Sequence, residues 1–181
     1  MHKIVFFNNK GGVGKTTMIY NLSYMLSELG YRVLAADLDP QSSLSASFLE
    51  EERLYETFES GSQLTIFDAI TPISEGEGFK GVHVERINDD IALIIGSLSL
   101  SLFEDKFSGA WLNSLDGDIY SFKVIGAFNT AIAAAAKAHK ADVVLIDLGP
   151  NLGAINRTAI LSSDTVIVPV ASDMFSLQGI K

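Results

Sequence analysis

Apolar and polar positions change period several times along the 181 residues, and the changes outline a layered fold. Residues 4–7 are a short continuous apolar run, the pattern of a strand buried on both faces. Residues 18–29 then show spacings of three and four, Tyr20 to Tyr24 and Leu26 to Leu29, which predicts a helix ended by Gly30. Residues 31–39 form a second strand around the unbroken apolar stretch 33–36. Residues 42–73 read as mostly helical and partly exposed, with Glu50, Glu51 and Glu52 on a solvated face and 64–70 as a short amphipathic helix. Residues 72–81 read as a loop. Two strand candidates follow, 82–86 and 91–95, joined by a turn at Asn88, Asp89 and Asp90. Leu98, Leu100 and Leu102 alternate with serines, which locally predicts a strand. Residues 122–139 predict a helix whose stripe of Ile125, Phe128, Ile132 and Ala136 faces the core. A strand at 143–147, a helix at 153–161 and a strand at 165–170 complete the series. Strands alternating with helices in this way predict an α/β fold: a doubly wound, mostly parallel sheet with helices on both faces, in a single domain over 1–181.

The chemistry sits where the first strand gives way to the first helix. Asn9-Lys10-Gly11-Gly12-Val13-Gly14-Lys15-Thr16-Thr17 is a glycine-rich turn in the strand–turn–helix setting that cradles phosphate. Glycines let the backbone turn tightly and aim several N–H groups into one concavity. The helix beginning near Lys15 adds the positive end of its dipole. Lys15 brings a charge for the β- and γ-phosphates, and the Thr16 hydroxyl can ligate Mg²⁺. The second strand ends in Asp37-Leu38-Asp39-Pro40-Gln41, and the strand at 143–147 ends in Asp147. Carboxylates at the C-terminal ends of strands lie where open α/β sheets bind ligands, and a cation with its waters relieves their repulsion.

Composition narrows the classes. Thirteen basic against 22 acidic side chains leave a net charge of −9, which argues against a whole-molecule electrostatic grip on nucleic acid or anionic lipid. The absence of cysteine removes disulfides, iron–sulfur clusters and thiolate zinc sites. The three histidines, His2, His83 and His139, have no ligand-like neighbours in sequence, and His139 is expected at a helix C-terminus. Asp116-Gly117-Asp118 reads as a turn, and Trp111 as a core residue. No secretory leader pattern precedes the first strand and no apolar stretch approaches 18 residues, so the expectation is a cytoplasmic protein without a transmembrane segment.

The loop departs from the common P-loop pattern, with Asn9 where glycine is usual and Lys10 before the paired glycines. In this it resembles the deviant P-loop ATPases of the ParA/MinD type. The resemblance extends to 37–41, 143–153 and 166–179, with Gly149 standing where the family usually has proline. It implies ATP and Mg²⁺ as cofactors. It assigns phosphate binding to Lys10, Gly11, Gly12, Val13, Gly14, Lys15, Thr16 and Thr17, and metal binding to Thr16, Asp37, Asp39 and Asp147. Within that set Asp39 would position the attacking water, Asp37 would serve the Mg²⁺ hydration shell, and Asp147 would hold the metal through water. The resemblance further implies a homodimer formed with ATP, in which Lys10 reaches the partner's phosphates, and slow hydrolysis. A loop into a helix near Phe103 and Glu104 is expected from it in place of the strand at 98–102, and 104–118 is expected to be a variable insertion.

The leading expectation is a ParA-like partition or cargo-positioning ATPase with two partners, non-specific DNA and a protein that stimulates hydrolysis; it would then be nucleoid-associated. A MinD-like membrane-cycling regulator, a nucleotide-binding module without turnover, and a synthetase or amidotransferase relative are the alternatives. Against the last, Lys10 stands together with Asp39-Pro40-Gln41. The family's further C-terminal strands and helices are expected to be missing after Lys181.

Overall fold

A computed structural model describes residues 1–59 and 63–170. Its six-stranded sheet has the order β3-β4-β2-β5-β1-β6. The strands are β1 (His2–Phe6), β2 (Val33–Asp37), β3 (Glu85–Arg86), β4 (Ile91–Ile94), β5 (Val143–Asp147) and β6 (Thr165–Ile167). All neighbours run parallel except β3, which pairs antiparallel with β4. The central strands are apolar on both faces because helices cover both. One side packs Val5, Leu34, Ala36, Val144 and Ile146 against α4 (Ile66–Ser74), α5 (Glu104–Ser114), α7 (Ala127–His139) and α8 (Ala154–Leu161). The other side is smaller and gathers Phe6, Val33, Ala35 and Leu145 with Ile19 of α1 (Lys15–Glu28) and Leu44 of α2 (Ser43–Phe48). The expected doubly wound sheet is thus observed.

Local departures from the periodicity have physical reasons. The strand expected at 82–86 shrinks to two paired residues, Glu85 and Arg86, while Val82 and Val84 still pack on the core. Pro72, expected to open a loop, lies inside α4, which Thr65 and Asp68 start with a reciprocal capping box. The proline falls in the helix's closing turn, so its missing N–H leaves most of the ladder intact. The strand suggested by alternation at 98–102 is a 3-10 helix, Leu98–Phe103. Leu100 and Phe103 are buried at a spacing of three, whereas Leu98 and Leu102 face out. The loop-into-helix reading from family resemblance holds here. Residues 104–118 are mostly helical: α5 fills most of them, Gly117 turns with φ 81°, and Asp118 caps α6 (Ile119–Ile125). The single helix expected over 122–139 is broken at Gly126, where α6 and α7 meet at a 52° bend. α3 (Glu51–Glu59) opens with Glu51 and Glu52 of the acidic run.

His139 is the last residue of α7, at a helix C-terminus as expected; it is buried, and its Nε2 lies 3.1 Å from the Asp90 carbonyl in the turn before β4. His83 pairs with Glu85, which Arg53 also binds. Trp111 is partly buried beneath the Arg157 guanidinium, 5.5 Å from its ring centre. The stretch 172–179 noted for family resemblance lies outside the described residues. Among the described residues no single helix is long and apolar enough to cross a membrane.

Candidate phosphate and metal site

Register aligns the site. Phe6 pairs with Asp147 and Asp147 with Asp37, so β1, β5 and β2 end level with one another. The loop after β1 therefore opens beside both carboxylates. Gly12 (φ 74°) and Gly14 (φ 85°) take left-handed backbone that other residues resist, and Gly14 is the N-cap of α1 with no side chain over the first amides. Those amides are left to a ligand. Asn8 fixes the near end of the loop. Its Nδ2 donates to the Pro169 carbonyl at 2.7 Å, and its Oδ1 accepts from the Lys10 amide at 2.9 Å. Lys15 is buried, with Nζ 3.3 Å from the Asn8 carbonyl. A cleft of about 220 Å³ is lined by residues 11–17 together with Asp39, Gln41, Ser43 and Pro150.

Three carboxylates crowd the floor and rim. Asp147 is fully buried. Its Oδ2 accepts from the Thr16 hydroxyl at 2.6 Å, and its Oδ1 has no hydrogen-bond partner among the described residues. Burial raises its pKa to about 6. The Asp39 charge adds to the rise, and the Thr16 hydroxyl and Lys15 oppose it. Asp37 is also fully buried, and burial lifts it to about 7, with the Asp147 and Asp39 charges adding. Its Oδ2 accepts from the Ser45 amide at 2.7 Å and the Ser45 hydroxyl at 2.8 Å. Its Oδ1 accepts from the Asp39 amide at 3.3 Å. Asp39 stands at the cleft, where its Oδ1 accepts from the Gln41 amide at 3.0 Å. Ser42, between the Asp39 turn and α2, adopts a strained left-handed backbone with φ 53°.

Among the described residues no three His, Cys, Asp or Glu side chains form a metal cage. The donor set fits Mg²⁺ all the same. That ion is usually held by one or two protein groups, with waters and phosphate oxygens completing its shell. The bare, buried Asp147 Oδ1 and the Thr16 hydroxyl beside it are of this kind. Asp37 is differently placed, with both carboxylate oxygens already bound to the start of α2 and to the Asp39 amide.

Three residues to which the sequence assigns no part in the site shape it. Ser45 bridges Asp37 to the Gly96 amide, which donates to its Oγ at 2.9 Å. Asn156 on α8 donates both amide hydrogens, to the carbonyls of Gly149 and Asn151 at 2.7 Å each. Glu104 caps α8, accepting from the amides of Ala154 and Ile155. Asn156 is legible as a polar residue at a buried position of an otherwise apolar helix face. Ser45 and Glu104 carry no such signal: Gly96 lies 51 residues from Ser45, and Ala154 lies 50 from Glu104.

The profile of the AAA domain family matches residues 1–181. The chromosome-partitioning ATPase Soj of Thermus thermophilus is 28% identical over 99% of the chain, which spans 59% of that protein. The virulence plasmid ParA family protein pGP5-D of Chlamydia trachomatis is 29% identical over 100% of the chain and 60% of its own length. The crystal structure of protein DIP2308 from Corynebacterium diphtheriae superposes with a TM-score of 0.89 at 32% identity, covering 99% of this chain and 64% of that one. Cobyrinic acid a,c-diamide synthase from Mycobacterium smegmatis, solved with ADP and magnesium, has a TM-score of 0.74 at 23% identity over 99% of this chain and 64% of its own, a likeness of fold. The chain spans 41 to 60% of the length of the first relatives it matches. By its loop, its sheet and these matches, the chain belongs to the AAA-domain family of ParA/Soj-type P-loop ATPases.

Proposed function

We propose that the chain is the nucleotide-binding part of a ParA-like ATPase that binds Mg-ATP, dimerises around it and hydrolyses it slowly to drive DNA partition or cargo positioning. The observation that carries this is the Thr16–Asp147 pair at the mouth of a glycine loop, with Asp39 across the cleft. When bound, Mg²⁺ would neutralise charge shared by the β- and γ-phosphates. Lys15 and the amides of residues 11–17 hold the phosphates. Thr16 and Asp147 hold the metal and its waters, and Asp37, through its bond to the Asp39 amide, fixes the first turn of the Asp39 loop. Asp39 orients the attacking water from the cleft wall. Lys10 reaches a second copy's phosphates, as an arginine finger does when it speeds hydrolysis by roughly 10³–10⁵. A lysine offers one charge without a bidentate fork, so its gain sits at the lower end. DNA and a protein that stimulates hydrolysis are the proposed partners.

The test is mass in solution by size-exclusion light scattering on the Asp39→Ala chain, with Mg-ATP and with Mg-ADP. A dimer with Mg-ATP and a monomer with Mg-ADP is the expected result. A monomer in both, with ATP binding confirmed separately, overturns the dimer reading for residues 1–181.

A further inference from the structure

The helix after the 149–153 loop has a cap from an unusual source. α8 begins after Gly153, which has no side chain to satisfy the first amides. Glu104 supplies the missing acceptor from 50 residues away: its Oε1 accepts from the Ala154 amide, and its Oε2 from the Ile155 amide at 3.3 Å. A carboxylate there also meets the positive end of the helix. Gly153 makes room for it, since a Cβ at that position would stand 2.5 Å from Glu104 Oε1 and 2.7 Å from Oε2.

Glu104 ends a segment whose other end is fixed to the Asp37 carboxylate. At Gly96 the amide donates to Ser45 Oγ, and Ser45 donates to Asp37. A Cβ at Gly96 would lie 2.8 Å from Ser42 Oγ and 2.9 Å from Asp37 Cγ, so the chain is pressed against that carboxylate. Between the two ends the 3-10 helix is pinned by buried Leu100 and Phe103. Residues 96–104 thus span from the loop after β2 to the loop after β5, the two loops that carry Asp39 and follow Asp147.

We propose that Glu104 is a positioning residue that latches the 149–153 loop, and that the strap 96–104 ties this loop to the Asp37–Asp39 turn so that the two shift together. Its bearing on ATP turnover rests on the function proposed above. Its bearing on the loop does not.

Hydrogen exchange and nucleotide turnover on the 1–181 chain test it, with Glu104→Ala, Glu104→Gln, Gly153→Ala and the double variant Glu104→Ala/Gly153→Ala. In Glu104→Ala, exchange at residues 149–155 should rise about tenfold while the β5 amides stay protected. Glu104→Gln keeps an acceptor and should recover part of that protection. Gly153→Ala expels the carboxylate from the other side, so it should match Glu104→Ala, and the double variant should be no worse than either. Turnover should fall about ten- to hundredfold with nucleotide affinity held within about twofold, as for a misplaced catalytic loop. Unchanged exchange at 149–155, an equal rise throughout the chain, or additive losses in the double variant overturns the latch. If the wild-type chain turns over no ATP, the proposed function fails and the exchange pattern alone decides on the latch.

Discussion

The Thr16 hydroxyl donates to Asp147 Oδ2 at 2.6 Å across 131 residues of chain, joining the first turn of α1 to the end of β5. The bond exists because β1 and β5 pair in parallel with Phe6 level with Asp147, so the loop leaving one strand opens over the end of the other. The second oxygen of Asp147 is left bare in a buried place. A group so arranged gains most from a bound cation. Asp147→Asn and Thr16→Val should therefore weaken Mg-ADP binding by tenfold or more, at about 1.4 kcal/mol per factor of ten. ADP binding in EDTA should change little. Calorimetric titration with and without Mg²⁺ checks this; equal losses under both conditions would separate the pair from the metal.

Lys15 and Asp39 should divide binding from turnover. Lys15 is buried at the helix start with its ammonium close to the Asn8 carbonyl, so removing it takes away both charge and a fixed donor. Lys15→Ala should abolish measurable nucleotide binding. Asp39→Ala should keep binding and stop hydrolysis, read as single-turnover phosphate release. Normal release by Asp39→Ala would remove its role with the attacking water.

Gly149 bears on Asp39 directly. A Cβ at position 149 would come within 3.0 Å of Asp39 Oδ1. Gly149→Ala should push that carboxylate by a few tenths of an ångström and lower turnover several-fold, since small misplacements of a reacting geometry cost rate steeply. Nucleotide affinity should hold. The measurement is kcat against KM for Mg-ATP, and a change confined to KM would sink the prediction.

Asn156 should be intolerant of a near-isosteric change. Both its amide hydrogens go to carbonyls of the loop, and the side chain is buried. Asn156→Asp turns two attractions into repulsions between a carboxylate and carbonyl oxygens, or forces a proton onto a buried acid. A loss of about 3–5 kcal/mol, the scale of an uncompensated buried charge, is expected in urea unfolding at pH 8. Asn156→Ala, which leaves two carbonyls short of a donor, should cost about 1–3 kcal/mol. Equal stability of the two variants would mean the bonds carry little.

What the sequence reveals and conceals follows from the range of the interactions. The strands around 33–36 and 143–147 are continuous apolar runs because helices cover both sheet faces, and such runs are local signals. The glycine loop announces itself because φ values of 74° and 85° at Gly12 and Gly14 nearly require glycine. By contrast, the serines between Leu98, Leu100 and Leu102 imitate a strand, while tertiary burial of Leu100 and Phe103 selects a 3-10 turn. The break at Gly126 is equally hidden, because both halves of 122–139 have good helical spacing. Ser45, Glu104 and Asn156 support the site through bonds spanning 51, 50 and seven residues. No residue type at those positions names its partner. The family resemblance implies a place for Asp37 in the Mg²⁺ hydration shell, and the fold adds that Ser45 already holds it.

The same burial sets a pH dependence with a definite sign. Asp37 and Asp147 have folded pKa values raised from 3.8 to about 7 and about 6 by removal from water. A carboxyl raised on folding stabilises the folded chain fully below its unfolded value and loses that contribution as pH climbs through the folded value. The nucleotide-free chain should therefore lose stability between pH 5 and pH 8. The carboxylates shifted the other way, Glu85, Asp118 and Asp164, are lowered from 4.5 or 3.8 and have completed their ionisation below that window. A chain of this size moves in Tm by roughly 2–4 °C per kcal/mol, so the fall should be plain in thermal unfolding. Asp37→Asn keeps an acceptor for the Ser45 amide and hydroxyl while removing the charge. It should shift Tm more favourably at pH 8 than at pH 5, where only part of the cost has developed, and flatten the slope between them. A slope unaltered in Asp37→Asn would place its origin in other groups and deny that this buried carboxylate is held at a cost in the absence of a cation.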